Sequence, residues 1–203
     1  LIATLQSEID KQRLPGAVVK VVQGGKELVF EALGQQNPNE GTAMALDSIF
    51  RIYSMTKPIV SVAVMMLMEQ GKLLLNDSVS KYLPEFSKQR VALEANGEVS
   101  YVSTKNDASI QDLMRHTSGL TYEFLGNTAV QKAYRSSKIG MSLRDANNAE
   151  FSKLLAALPL QFEPGTAWEY SRATDVLGAL VEVVSGQKLS EFLQHHIFTP
   201  LVM

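Results

Sequence analysis

The chain has 203 residues, 45% of them hydrophobic, which is enough apolar surface for a real core in one compact domain or in a domain with a lobe. Its 19 basic and 21 acidic residues nearly cancel and neither sign forms a long run, which argues against a nucleic-acid groove or an anionic membrane surface as partner. The absence of cysteine excludes disulfide scaffolds, thiolate catalysis and cysteine-based metal sites together, and leaves the compartment open.

Leu1, Ile2, Leu5 and Ile9 fall at helical spacing and predict an amphipathic helix over residues 1–13, ending near Pro15-Gly16 and lying on a sheet. Ala17 to Val22 and Glu27 to Leu33 are β-rich runs joined through Gly24-Gly25, the signal of an antiparallel hairpin. A polar loop over residues 35–43 leads to a strand-like stretch, Phe50 to Tyr53. The segment from Ser54 to Met68 is apolar almost without a break, which predicts a central helix enclosed on most sides, with Pro58 in its first turn and Gly71 as its stop. Its longest apolar run, Ile59 to Met68, is far below the roughly 20 residues that span a bilayer. Residues 89–106 alternate around Asn96-Gly97, predicting a hairpin excursion, and Ser109-Ile110-Gln111-Asp112 has the form of a capping box opening a short helix that delivers His116-Thr117-Ser118-Gly119. Residues 134–148 are polar and poorly periodic and read as a surface lobe or pocket rim. Helices are expected again over Phe151 to Leu158, Leu177 to Val184 closed by Gly186, and Leu189 to Phe198, with a Pro164-Gly165 turn before Tyr170.

Chemistry concentrates at Ser54-Met55-Thr56-Lys57. Two residues three apart on the first turn of a helix face the same way, so the Lys57 amine reaches the Ser54 hydroxyl, and the positive end of the helix dipole favours negative charge developing there. A serine hydroxyl is a weak nucleophile until a base activates it, and burial of Lys57 lowers the cost of a neutral amine. Alone, Ser-x-x-Lys is more often a helix cap followed by a solvated lysine; here it opens an apolar helix and precedes a Tyr-Ser pair, Tyr170-Ser171, more than a hundred residues on. His116 lacks an aspartate placed for a triad and reads as structural support; His195 and His196 are adjacent on a helix, a poor metal arrangement, so no metal or cofactor is expected. Met65, Met66 and Met68 read as core filling.

Taken together, residues 50–57 (Phe-Arg-Ile-Tyr-Ser-Met-Thr-Lys), 113–120 (Leu-Met-Arg-His-Thr-Ser-Gly-Leu), Phe162-Glu163-Pro164-Gly165 and Tyr170-Ser171 resemble the serine β-lactamase and penicillin-binding superfamily, within it the class C-like esterase branch. The resemblance runs to residues 197–201, essentially the whole chain. It implies an α+β fold of the β-lactamase/transpeptidase type, an antiparallel sheet flanked by helices plus a mostly helical lobe. Residues 1–203 would form the N-terminal and central part of one catalytic domain, with a helix and the first strands in 1–53 and the nucleophile helix and lobe in 54–203. It also implies Ser54 as nucleophile, Tyr170 as its base and Lys57 as the positive charge that lowers the tyrosine's pKa, although a proton route through neutral Lys57 stays open. Arg172 departs from the family, which carries at that position an Asn that grips a substrate amide; this favours small acyl esters over β-lactams. The family's later Lys-Thr-Gly-type strand, which lines the site and supplies one oxyanion N–H, is not found, so a remaining C-terminal segment of the same polypeptide is expected as partner. A β-lactamase or D-Ala-D-Ala peptidase, an acyltransferase, and an acyl-binding sensor or pseudoenzyme are the alternatives.

Overall fold

In a computed structural model, which describes residues 1–95, 98–137, 139–142 and 146–203, the chain divides into two units, Leu1–Tyr53 and Ser54–Met203. In the first, α1 (Ile2–Asp10) ends sooner than its apolar spacing predicts. Gln12 turns left-handed (φ 57°), and the N–H groups of Gln12 and Arg13 return to the carbonyls of Ile9 and Glu8, which closes the helix. The hairpin forms as predicted: β1 (Gly16–Gln23) and β2 (Lys26–Asn37) pair antiparallel from Gly16 opposite Gly34 to Gln23 opposite Lys26. Gly24 and Gly25 both take positive φ (56° and 75°) in the two-residue loop. β2 continues through part of the expected loop and pairs with β3 (Thr42–Ala43), giving the order β1-β2-β3. Gly34 permits this extension, since a Cβ there would stand 2.5 Å from the Pro15 carbonyl oxygen. The stretch Phe50 to Tyr53 is not a strand; with no ladder partner among the described residues it stays irregular and tightens into a 3-10 turn at Tyr53–Met55.

The second unit is built on two helices. α2 (Thr56–Glu69) buries Val60, Ala63, Val64 and Leu67, a stripe at i, i+3, i+4, i+7, and α7 (Ala173–Ser185) answers with Ala173, Val176, Leu177 and Leu180 at the same spacing. Gly71, at φ 69°, ends α2 as expected. Enclosure of α2 is narrower than its sequence implied: Val62 remains 49% exposed, because a helix–helix seam covers one stripe and not the circumference.

Around this pair lie α3 (Ile110–Arg115), α4 (Ala129–Ser136), α5 (Ile139–Ser142), α6 (Asn148–Ala156) and α8 (Leu189–Leu193), the last running into a π-helical turn, Gln194–Phe198. β4 (Arg90–Ala95) and β5 (Glu98–Ser103) pair antiparallel as the excursion predicted, while the Asn96-Gly97 turn itself lies outside the described residues. Residues 134–148 are largely surface where they are described, with Arg135, Ser136, Ser137, Gly140 and Asn147 exposed, and two buried side chains anchor them. Tyr134 and Ile139 are fully buried, and Val130 with Tyr134 forms an i, i+4 apolar pair that the surrounding polar residues obscured.

The turn after α3 sets up the site. Ser109 and Asp112 form the predicted capping box, and His116, left-handed at φ 60°, closes the helix. The Thr117 hydroxyl donates to Asp112 Oδ1 at 2.8 Å. Residues 116–119 are then tied to the segment approaching Tyr170 by three backbone bonds: Gln161 N–H to Gly119 O (2.7 Å), Gly165 N–H to Thr117 O (2.8 Å) and Glu169 N–H to His116 O (3.0 Å). The contact requires glycine at 119, where φ is 84° and a Cβ would stand 2.3 Å from the Phe162 carbonyl oxygen.

Two outcomes follow for stability. Leu180→Ala, emptying a fully buried position, lowers stability by about 2–5 kcal/mol, whereas Leu154→Ala, at a position 45% exposed, changes it by less than about 0.5 kcal/mol; urea midpoints compare them. Gly119→Ala costs more than about 1 kcal/mol through its left-handed φ alone. Its backbone clash separates residues 116–119 from the Tyr170 segment, seen as faster amide exchange at Gln161, Gly165 and Glu169.

Candidate active site

The sequence-predicted residues Ser54, Lys57 and Tyr170 come together within the second unit. Ser54 sits in the 3-10 turn just before α2 and not on the helix's first turn; Met55 is the N-cap. The positive end of the α2 dipole is still adjacent, and Tyr53, the residue before Ser54, holds a left-handed φ of 46°. The Tyr170 hydroxyl donates to Ser54 Oγ at 2.6 Å. No Ser54–Lys57 hydrogen bond is present among the described residues, so the serine's partner is the phenol.

Lys57 is directed at two phenols. Its Nζ donates to Tyr122 Oη at 3.0 Å and lies 4.7 Å from the centroid of the Tyr170 ring. Burial by itself would push the ammonium down, but Tyr122 and Tyr170 outweigh it and hold Lys57 above the ordinary lysine value. The same pairing acts in reverse on Tyr170: partial burial raises a phenol, but the bond to Ser54 and the Lys57 charge outweigh this and bring it below the ordinary tyrosine value. Lys57 is therefore held in its charged form, which disfavours the proton route through a neutral amine that the sequence left open.

Behind this trio, His116 lies 4.9 Å from the Tyr170 ring centroid, with its Nδ1 3.1 Å from Ser171 Oγ. Burial first, and the Lys57 charge second, lower its pKa, so it packs against Tyr170 as a neutral ring. Glu169 accepts from the Thr121 hydroxyl and, at 3.4 Å, from Gln131 Nε2, which fixes the backbone on the other side of Tyr170. Arg172 is nearly fully buried in a bidentate pair with Glu123, Nε to Oε2 at 3.1 Å and one terminal nitrogen to Oε1 at 2.6 Å.

Sequence reasoning missed Tyr122 and the Glu123 partner of Arg172. Tyr122 follows the His-Thr-Ser-Gly-Leu segment by two residues, and its ring lies 5.5 Å from that of Tyr170; its nearness in sequence to that segment was the one signal available. His195 and His196 do not converge on a ligand; His196 packs on Phe192 with ring centroids 4.4 Å apart. Among the described residues no cluster of three His, Asp or Glu could hold a metal ion, and no helix is long and apolar enough to cross a membrane.

Residues 1–203 match the family described as Beta-lactamase. Esterase EstB of Burkholderia gladioli is 37% identical over 203 residues, covering 100% of this chain and 49% of that protein. Lovastatin esterase of Penicillium rubens is 29% identical, covering 98% of this chain and 50% of its own. Among solved structures, EstCE1, described as a hydrolase with promiscuous acyltransferase activity, aligns with a TM-score of 0.82 and 32% identity over 100% of this chain and 50% of that one. The chain thus spans about half the length of these relatives. With a site, a fold of the α+β β-lactamase/transpeptidase type and a match from end to end, the chain belongs to the Beta-lactamase family.

Proposed function

We propose that the protein carrying this chain is a serine hydrolase of small acyl esters, acting through a covalent acyl-Ser54 intermediate with Tyr170 as base and Lys57 as the charge that tunes it. The observation that carries this reading is the 2.6 Å bond between Tyr170 and Ser54, with the Lys57 ammonium over the same tyrosine ring. Residues 1–53 and 54–203 are read as parts of one catalytic domain.

In the resting site the phenol donates to Ser54. Once Tyr170 is ionised the bond reverses, and the phenolate takes the Ser54 proton as Oγ bonds to the ester carbonyl carbon and the carbonyl oxygen gains a negative charge. Collapse of that tetrahedral species expels the alkoxide, which takes the proton from Tyr170. Water then gives a proton to the phenolate and attacks the acyl carbon, and the second collapse returns the proton to Ser54 Oγ as the acid leaves. Lys57 keeps its charge throughout, favouring the phenolate at each resting point between transfers. A lysine base would need the neutral amine, and the two phenols beside Lys57 oppose that form.

Two further observations bear on substrate. Arg172 is committed to Glu123, so the third position of the Tyr-x-x motif offers no side-chain amide for a substrate amide, which supports esters over β-lactams and peptides. Acyl transfer to an alcohol shares every step to the acyl-enzyme and differs only in the final nucleophile; the likeness to EstCE1 favours it as a second reading.

A fluorophosphonate probe with intact-mass and peptide mapping tests the assignment in the full-length protein. Label is expected on Ser54, absent in Ser54→Ala and formed at least about a hundredfold more slowly in Tyr170→Phe. The rate rises with pH as Tyr170 ionises, with a midpoint below the ordinary tyrosine value of about 10, and Lys57→Ala moves that midpoint upward. An unlabelled Ser54 in the folded protein overturns the reading, and nitrocefin hydrolysis as fast as that of short p-nitrophenyl esters overturns the ester preference.

A further inference from the structure

Lys57 can act on Tyr170 only while its ammonium stays where it is. A lysine head group is a compact, strongly hydrated charge on a flexible four-carbon stem, and in a half-buried position it gains by swinging out to water. The attraction between it and a phenolate falls with distance and falls again as the local dielectric rises. Tyr170 meets it with a ring face at 4.7 Å to the centroid, and the directional hydrogen bond it makes is to Tyr122, at 3.0 Å.

Tyr122 is itself held from several sides. The residue is 9% exposed, and its ring stacks on Phe124 with centroids 4.8 Å apart and lies 5.5 Å from the Tyr170 ring. The Arg172 guanidinium sits over it, 5.0 Å from the centroid, fixed in turn by both carboxylate oxygens of Glu123. Space for that pair is kept at Gly140 on α5, where a Cβ would come within 2.7 Å of Glu123 Oε1. Tyr122 is not a second base: its oxygen accepts from Lys57, and among the described residues no hydrogen bond joins it to Ser54.

We infer that Tyr122 is a positioning residue for the hydrolase reaction proposed above: its hydroxyl, with its ring backed by the Arg172–Glu123 pair, pins the Lys57 ammonium over the face of Tyr170. The inference rests on the assignment of Ser54 as nucleophile. It gives the departure at Arg172 a role, since the residue two positions after the base holds the charge-bearing assembly in place of contacting substrate.

The test is the pH profile of Ser54 acylation by the fluorophosphonate probe in the full-length protein, with thermal melting as a check on folding. Tyr122→Phe removes one oxygen and keeps the ring, so the fold is retained. Its rising limb is expected to move to higher pH, lowering the rate about tenfold at neutral pH while the alkaline plateau is largely recovered. Glu123→Gln, which leaves Arg172 with a neutral partner, shifts the limb the same way by a smaller amount. A role confined to packing would lower the plateau and leave the limb in place; that result, or a profile identical to the parent, overturns the inference while Ser54 remains labelled. Absence of labelling at Ser54 in the parent protein overturns the hydrolase reading and this inference with it.

Discussion

The arrangement depends on one unit charge shared between two phenols. Lys57 could not serve if fully buried, because desolvation would drive it to the neutral amine, nor if fully exposed, because water and salt would screen it from Tyr170. Its observed position is between these limits, with Tyr122 as hydrogen-bond acceptor and the Tyr170 ring beneath it. The consequence is reciprocal: the phenols keep the lysine charged, and the charged lysine brings one phenol toward ionisation beside a serine hydroxyl. Against the opposing effect of burial, Tyr122 first and Tyr170 second raise Lys57, while Ser54 first and Lys57 second lower Tyr170.

That charge is useful only if Ser54, Lys57, Tyr122 and Tyr170 keep register, and they arrive from three parts of the chain. The α2–α7 seam fixes two of those parts, since α2 begins just after Ser54 and α7 just after Tyr170-Ser171-Arg172. The third part, carrying Tyr122, is joined to the Tyr170 segment by backbone bonds that start at the end of α3. Backbone bonds suit this task because they fix position without adding titratable groups near Lys57. The glycine at 119 brings the two segments to contact distance, so a residue far from the chemistry in type is close to it in consequence.

Much of this was legible in the sequence because its signals were local. The Gly24-Gly25 loop, the Ser109/Asp112 capping box and the Gly71 stop each rest on a few neighbouring residues, and each formed where the residues required. The motif residues Ser54, Lys57 and Tyr170 were legible through their order along the chain and their resemblance to a family. What was not legible depended on long-range partners. Phe50 to Tyr53 has strand-like composition, but a strand exists only with a ladder partner, and none is present among the described residues. Tyr134 is buried because α4 docks its one apolar stripe, which the polar average over residues 134–148 concealed. Tyr122, the partner that holds the Lys57 ammonium, was not legible either, because it lies 65 positions away in the chain.

Arg172 carries this point furthest. A buried guanidinium costs several kcal/mol in lost hydration, and a bidentate carboxylate offsets that cost without adding much net stability, so such a pair is better understood as fixing geometry than as holding the fold together. Here the geometry it fixes is a tyrosine ring, and through that ring the position of a lysine charge. The site therefore grades with depth: an exposed Ser54, a half-buried Lys57 ammonium, and a largely buried Arg172–Glu123 pair that touches neither. The Arg172 guanidinium is thus spent on Glu123 below and the Tyr122 ring beside it, and through that ring it bears on the Lys57 ammonium without approaching Ser54.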